Sequence, residues 1–252
     1  MGIEFAESDR AAGEAYLRLA AGVDEFEGYA HPHAARVARL AEVLAEKFRL
    51  SRADRVSIVF AALLHDIGEL TMRRDYIKCD GPLNEAERLD LARHPVIGEQ
   101  EAARAGADRA VQLLVRWHHE WFGGGGYPDA LRGEQIPLGA RILRVADAYA
   151  ALTDARPWRP AGTEGEARKH LGLWAGIEFD PTVVLAFLSL EGLPELRAHA
   201  RERRVEEPAA EQVPTVIRPR EEPSDGDAAR EEVVHAGEPP ARQYPWETGT
   251  PS

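Results

Sequence analysis

The sequence predicts an all-α fold, a single helical bundle domain followed by a disordered C-terminal tail. Apolar residues recur at three- and four-residue steps, a spacing that places them on one face of a helix. In one such segment these residues are Val37, Leu40, Ala41, Leu44 and Phe48. Residues that typically open helices precede several of the apolar segments. No stretch of convincing length alternates apolar and polar residues as a half-buried strand does, so the sequence favours helices throughout.

The first predicted helices lead to a His-Asp pair. An acidic, alanine-rich segment predicts a helix from Ser8 to Ala21, and a second helical pattern begins at His33. Ser51 is a suitable N-cap for a third helix, because its hydroxyl can accept from a backbone amide of the first turn. The apolar face of that helix runs directly into His65-Asp66, just before Gly68.

Further helices are predicted in the second half of the chain. Asn84, with Glu87 three residues later, fits a capping box that opens a helix. That helix is expected to be interrupted at His94-Pro95, because proline lacks the backbone N–H that a helix interior needs. Asp108 is expected to cap the next one. The remaining predicted elements are a loop at Gly123–Pro128 and helices from about Leu138, from Glu164 to Trp174 and from Asp180 to Leu190.

The composition restricts the classes of protein that fit. The net charge of −12 disfavours a nucleic-acid-binding protein, because such a surface repels phosphate backbones. Cys79 is the single cysteine, which excludes an internal disulfide and a multi-cysteine zinc site and fits a reducing cytoplasm. The longest apolar run, Val59 to Leu64, is too short to span a membrane.

The chain divides by composition into three parts. Residues 1–22 are expected to form an N-terminal helical extension, and residues 23–198 the main domain. Residues 199–252 are rich in proline and charge and poor in large apolar side chains, so they are expected to be a disordered tail.

Histidines and aspartates recur along the predicted helices. The chain has nine histidines, and five of them lie at helix ends or on helix faces: His33, His65, His94, His118 and His119. Asp147 lies inside an apolar helix, where a charge is costly unless it is paired or binds a cation. Each residue could be a separately satisfied polar group, but so many in one helical domain favour a shared metal site. Imidazole and carboxylate suit Mn, Fe or Zn better than Ca.

The order of these residues resembles the HD-GYP family, a branch of the HD superfamily of metal-dependent phosphohydrolases. The resemblance covers about residues 23–190. It rests on a series of motifs: His33 before Arg36-Val37, His65-Asp66-Ile67-Gly68, Leu83 through Glu87 to His94-Pro95 and Gly98, His118-His119-Glu120 before Gly126-Tyr127-Pro128, Ile136-Pro137 through Arg141-Ile142 to Asp147, Arg156-Pro157-Trp158-Arg159, and Phe179-Asp180-Pro181.

The resemblance implies a bacterial signalling enzyme that hydrolyses cyclic di-GMP to pGpG and often on to GMP. It implies two divalent metal ions, Fe or Mn, with Asp66 bridging them. Two such ions can hold phosphate oxygens and activate water for in-line attack. The implied ligands are His33, His65, Asp66, His94, His118, His119 and Asp147. Arg156 and Arg159 match positions that contact substrate phosphates, and Tyr127 lies on the loop beside the site.

The sequence departs from the family at four positions. Glu69 stands where the family usually has a phosphate-contacting lysine. It is expected either to weaken turnover or to act beside Asp66 as a catalytic group or ligand. Tyr29 stands where some members use a glutamate to hold a third metal, so a third site is not expected. Gly123 replaces an aspartate, which predicts a looser hold on Tyr127. Ala150 replaces a second aspartate on the Asp147 helix.

Several alternatives stay open. The substrate could be another nucleotide, or the chain could be a cyclic-dinucleotide-binding or scaffold module with weakened turnover. A protein partner could bind through the Gly123–Pro128 loop or the tail. Glu120 could orient His118 or His119, or it could face solvent.

Overall fold

The computed structural model describes residues 5–78, 83–156 and 159–199 of the 252. The predicted tail lies outside these residues, apart from His199. Ten α-helices are present in the described part of the chain: α1 (Arg10–Glu27), α2 (His33–Lys47), α3 (Arg52–Leu64), α4 (Ile67–Met72), α5 (Glu85–Leu91), α6 (His94–Arg104), α7 (Arg109–Trp117), α8 (Leu138–Thr153), α9 (Glu164–Leu173) and α10 (Pro181–Leu188).

Helices α2, α3 and α8 form the centre of the bundle. Helix α2 packs against both α3 and α8, while α7 packs against α3 and α6. The apolar faces predicted from the sequence meet here: Leu40 and Leu44 of α2, Leu63 of α3 and Ile142 of α8 are fully buried. Burial of this kind is the main stabilising contribution to a helical bundle. The core therefore holds the ends of α2 and α3 and the middle of α8 beside one another.

The predicted helix caps are confirmed. The Ser51 hydroxyl accepts from the Asp54 amide, and the Asp108 carboxylate accepts from the Val111 amide. Asn84 and Glu87 form the reciprocal hydrogen bonds of a capping box. These caps satisfy amides that have no partner inside the helix, which fixes where α3, α5 and α7 begin.

Two element boundaries differ from the prediction. Helix α1 continues past Ala21 to Glu27 and ends at Gly28, whose φ of 80° gives the left-handed cap that glycine favours. The pair His94-Pro95 opens α6 and does not interrupt a helix. Proline is well tolerated in the first turn, where its missing N–H would have no partner. The predicted class, all-α, is confirmed, because the described residues contain no strand beyond isolated bridges.

None of the described helices combines the length and the apolar content needed to cross a membrane.

Candidate metal centre

Two buried groups of side chains lie where the helix ends converge. We call His33, His65 and Asp147 the His33 group, and Asp66, His94, His118 and His119 the Asp66 group. Within each group, one nitrogen or oxygen atom per residue lies within 4.8 Å of all the others. The two groups together contain all seven ligands that the family resemblance implies. They come from α2, α6 and α8 and from the turns that follow α3 and α7.

Asp66 faces both groups. Its Oδ1 atom lies 3.3 Å from Nε2 of His94 and 3.4 Å from Nε2 of His118, within its own group. Its Oδ2 atom lies 2.9 Å from Nε2 of His65, which belongs to the His33 group. One carboxylate therefore spans the space between the two groups.

Three of the imidazoles are oriented by backbone carbonyls. Nδ1 of His65 lies 2.9 Å from the Ala62 carbonyl, Nδ1 of His94 lies 2.8 Å from that of Leu91, and Nδ1 of His118 lies 2.6 Å from that of Val115. Each of these carbonyls is three residues earlier, at the end of a helix that leaves it without an intrahelical partner. The Nδ1 atom is thus the donor, and Nε2 is left to face the site.

His33 is oriented by a side chain that the sequence analysis missed. Its Nδ1 atom lies 3.0 Å from Oδ2 of Asp154, and its Nε2 atom lies 3.4 Å from Oδ1 of Asp147. The other oxygen of Asp154 accepts from Nη1 of Arg36 at 2.5 Å. Asp154 is only 2% exposed, which makes these two partners its main compensation for lost hydration.

The burial and the neighbouring charges shift the ionisation of these groups. Burial lowers the pKa of His33, but the carboxylates of Asp147 and Asp154, which face its two ring nitrogens, outweigh it and raise the pKa to about 9. Burial raises the pKa of Asp66, but the imidazoles of His65, His118 and His94 outweigh it and hold the pKa well below its usual range. Asp66 is therefore an anion facing a cluster of imidazoles.

These residues fit a divalent metal ion. Among the described residues, the buried atoms His33 Nε2, His65 Nε2 and Asp66 Oδ1 have no hydrogen-bond partner. Buried polar atoms without partners are costly, and a cation facing all three would compensate them. The donor set of imidazole nitrogens and carboxylate oxygens is one that divalent transition metals prefer.

A pocket opens beside the two groups. It has a volume of about 250 Å³, and its walls include Asp66, His94, His119 and Asp147. The Tyr127 ring lines it and stacks on His119, with ring centroids 4.9 Å apart and an angle of 27°. The other lining residues are Tyr29, Glu69, Leu83, Glu85, Arg88, Leu89, Leu91, Ala92, Ala151 and Arg156.

Arg156 is held in the pocket wall by two residues from the end of α1 and the turn after it. Its Nη2 atom lies 2.9 Å from Oε2 of Glu27 and donates to the Tyr29 hydroxyl. Its guanidinium carbon lies 3.7 Å from the centre of the Tyr29 ring. The Tyr29 ring also stacks on His33, with centroids 4.1 Å apart and an angle of 4°. A continuous stack thus joins Arg156 to the His33 group.

Of the predicted site residues Glu69 and Arg159, only Glu69 lines the pocket. Glu69 lines the pocket and is 8% exposed, and its Oε1 atom lies 3.9 Å from Nδ1 of His94. Burial, followed by the carboxylates of Glu27 and Asp66, raises the pKa of Glu69 well above its usual range. Arg159 donates from Nη2 to the Ala151 carbonyl and is not among the lining residues.

The expectation for Glu120 is wrong. Glu120 neither faces solvent nor orients a histidine: it is 2% exposed and accepts from the amides of Asp129 and Leu131, at 2.6 and 2.9 Å. The loop is held by backbone hydrogen bonds, among them one from the Tyr127 amide to the His119 carbonyl at 3.1 Å. This hydrogen bond joins the backbone of Tyr127 to that of His119, a residue of the Asp66 group.

The fold and the site together define a class of helical protein whose buried cluster of histidines and aspartates fits a divalent metal ion. The HD domain family model matches residues 27–183, and the chain therefore belongs to the HD domain family. The HD-GYP resemblance seen in the motifs is confirmed by relatives whose sequences match this chain over more than half its length.

Two relatives show how close the likeness is. The cyclic di-GMP phosphodiesterase response regulator RpfG of Xanthomonas campestris pv. campestris is 38% identical over 178 residues, which is 69% of this chain and 47% of that protein. The 3'3'-cGAMP-specific phosphodiesterase 3 of Vibrio cholerae serotype O1 is 35% identical over 139 residues, 55% of this chain and 30% of that protein. The chain thus spans less than half the length of either relative.

A solved structure shares the fold. The crystal structure of a cyclic GMP-AMP-specific phosphodiesterase of V. cholerae, V-cGAP3, superposes with a TM-score of 0.59 at 20% identity. The match covers 73% of this chain and 50% of that one. At this identity the likeness concerns the arrangement of helices.

Proposed function

We propose that this chain is a metal-dependent phosphodiesterase that hydrolyses a cyclic dinucleotide, in the first place cyclic di-GMP, to pGpG and GMP. The observation that carries the proposal is the pair of buried ligand groups beside a pocket that also holds Arg156. The names of the relatives, which act on cyclic di-GMP or 3'3'-cGAMP, support the substrate class.

The His33 group would hold one divalent ion and the Asp66 group a second, with iron or manganese suiting the donors. Bound ions would activate water and neutralise the charge that develops on the phosphate. Asp66 would serve both positions, because its two oxygens face histidines of different groups. The carbonyls behind His65, His94 and His118 would keep each Nε2 in place.

The substrate would be held by residues of the pocket wall. Arg156 would bind a phosphate, and its stack on Tyr29 would fix the guanidinium plane before the substrate arrives. Tyr127 would pack against the ligand beside His119. Arg159 would contact a second phosphate only after its side chain turns away from the Ala151 carbonyl.

Glu69, which stands where the family usually has a lysine, would act as a catalytic residue in this chain. Glu69 lines the pocket wall beside His94, where its carboxyl group could contact the substrate. Glu69→Gln would keep a hydrogen-bonding side chain of the same shape and is expected to retain more activity than Glu69→Lys. Higher activity in Glu69→Lys than in Glu69→Gln would show instead that Glu69 weakens turnover.

A second candidate function is a binding or scaffold module for cyclic dinucleotides with little turnover. The observation that favours it is the presence of two carboxylates, Glu27 and Glu69, close to Arg156 in a pocket meant for phosphates. A partner would then bind at a different surface, for which we propose the Gly123–Pro128 loop.

We further propose that the domain itself extends from residue 23 to 198.

The test is hydrolysis by the purified full chain. The protein is depleted of metal, reloaded with Mn²⁺ or Fe²⁺, and given cyclic di-GMP, 3'3'-cGAMP or cyclic di-AMP, with products separated by chromatography. Asp66→Asn is the ligand variant, and Asp9→Asn is the matched control, since Asp9 pairs with Arg52 and lines a different pocket. We expect metal-dependent cleavage in the wild type and the control only. Tight binding without products would favour the binding module.

A further inference from the structure

The two oxygens of Asp147 face different partners. The Oδ1 atom lies 3.4 Å from Nε2 of His33 and 3.7 Å from Nε2 of His65. The Oδ2 atom lies 3.1 Å from Nη1 of Arg144, one turn earlier on α8. Arg144 thus contacts the side of the carboxylate that is turned away from the histidines.

Arg144 is itself held from behind. It is 1% exposed, and its Nη2 atom donates to Oε1 of Glu178, which is also 1% exposed. The guanidinium carbon lies 5.9 Å from the centre of the Phe179 ring. A buried guanidinium requires a counter-charge, and Glu178 and Asp147 supply it from two sides. The position of Arg144 is therefore set by a carboxylate that lies outside both ligand groups.

The segment that carries Glu178 also holds the loop after the two adjacent histidines. The Glu178 carbonyl accepts from the Phe122 amide at 3.0 Å, and the Ile177 carbonyl accepts from the Gly123 amide at 2.8 Å. This loop begins immediately after His118 and His119 of the Asp66 group. One short segment thus contacts the loop by its backbone and Arg144 by a side chain.

We propose that Arg144, anchored by Glu178, is a positioning residue that fixes Asp147 with Oδ1 toward the His33 group. The inference rests on the proposed metal function and assigns this ion pair to one of the two metal positions. Hydrogen bonds to a ligating carboxylate typically change metal affinity by about 10- to 100-fold. Loss of Arg144 should weaken the position at the His33 group and spare the Asp66 group.

The experiment measures Mn²⁺ affinity and stoichiometry by competition with a chromophoric chelator, on the full chain and without substrate. The test variants are Arg144→Gln and the double variant Arg144→Leu/Glu178→Leu. The double variant replaces a buried ion pair by apolar side chains, which often leaves stability unchanged, so it keeps the fold while removing the anchor. Arg141→Gln is the matched control, because Arg141 lies one turn earlier on α8 and pairs with Asp180 at 2.5 Å.

The expected result is two Mn²⁺ equivalents in the wild type and in Arg141→Gln. Both Arg144 variants should then bind one equivalent with unchanged affinity and the other about 10- to 100-fold more weakly. Two equivalents with wild-type affinity in the double variant would overturn the inference and leave the metal centre intact. Equal weakening of both equivalents, together with a lower melting temperature of the metal-free protein, would assign the pair a purely structural role. Absence of Mn²⁺ binding in the wild type would overturn the proposed function itself.

Discussion

Oδ2 of Asp154 lies 3.0 Å from Nδ1 of His33, which joins a predicted metal ligand to a carboxylate 121 residues later in the chain. The same aspartate pairs through Oδ1 with Arg36, so the three side chains form a buried ionic chain. Asp154 lies at the end of α8, where it orients His33 and also pairs with the buried Arg36 of α2.

Replacing Asp154 with alanine should destabilise the metal-free protein by about 3–5 kcal/mol, because it leaves the Arg36 guanidinium buried without its counter-charge. Urea unfolding at neutral pH measures this. Glu7→Ala is the control, since Glu7 pairs with Arg10 on the surface, where the two side chains are 88% and 56% exposed. Exposed pairs contribute at most about 1 kcal/mol. Equal effects of the two substitutions would contradict the assignment.

The stack of Arg156 on Tyr29 predicts a separation of KM from kcat. Tyr29→Ala removes the surface that orients the guanidinium, so the KM for cyclic di-GMP should rise about tenfold, equivalent to about 1.4 kcal/mol, while kcat changes little. Tyr29→Phe keeps the ring that contacts Arg156 and His33 and loses only the hydroxyl that accepts from Arg156, so its KM should stay closer to that of the wild type. Steady-state kinetics with Mn²⁺ compares the three proteins.

A lower KM in Tyr29→Ala would contradict this prediction, because it would mean that Tyr29 and Glu27 hold Arg156 away from the substrate. Metal content measured on the same samples serves as the control. It should stay unchanged, since His33 keeps its hydrogen bond to Asp154.

The residue types of the metal site could be predicted from the sequence, because the ligands lie near helix ends. Apolar periodicity and capping residues indicate where those ends fall. The apolar face before His65, the capping box before His94 and the cap of α7 all placed histidines at helix ends. The side chains that support the ligands have no such local sequence signal. Asp154, Arg144 and Glu178 act through contacts between distant segments, which local spacing does not encode.

Gly68 lies where α4 approaches α6 closely. A Cβ atom there would lie 2.1 Å from the His94 carbonyl oxygen and 2.9 Å from the Gly98 nitrogen, both of them backbone atoms. Gly68→Ala should therefore destabilise the protein by about 2 kcal/mol or more, by analogy with overpacked cores. It should also weaken metal binding, because the backbone of His94 has to move.

Gly172→Ala is the matched control for this prediction. Gly172 lies in α9, and a Cβ atom there would have no neighbour within 4 Å. Alanine reduces the freedom of the unfolded chain, so this variant should gain about 0.4–1 kcal/mol. Denaturant melts of both variants test the pair, and a destabilising effect of Gly172→Ala would contradict the account of α9.

His170 predicts a pH dependence of stability. Burial, and then the charge of Arg144, lower the pKa of His170 from 6.5 to about 4. The unfolded chain therefore binds a proton below about pH 6.5 that the folded chain does not bind until about pH 4. The contribution is fully present above pH 6.5 and is lost as the pH falls through this window.

Replacing His170 with leucine should flatten this part of the stability profile. The difference in slope is at most about 1.4 kcal/mol per pH unit, and smaller here because the ring is partly exposed. Urea unfolding of both proteins at pH 7, 6 and 5 provides the measurement. Parallel profiles would show that His170 has the same pKa in the folded and unfolded chains.

Two errors of the sequence interpretation have a common physical cause. The sequence predicts that His94-Pro95 interrupts a helix, but this pair opens α6. It predicts that Glu120 faces solvent or orients a histidine, but Glu120 accepts from the loop amides of Asp129 and Leu131. In both cases the residue type allows two roles. The choice depends on which backbone amides lie opposite in the folded chain.

The central claim is that catalysis depends on two metal positions spanned by Asp66. The most direct measurement is the rate of cyclic di-GMP cleavage as Mn²⁺ is added stepwise to the metal-depleted full chain. The account predicts that activity develops with the second equivalent bound and that Asp66→Asn stays inactive at saturating Mn²⁺. Full activity without metal, or in Asp66→Asn, would contradict it.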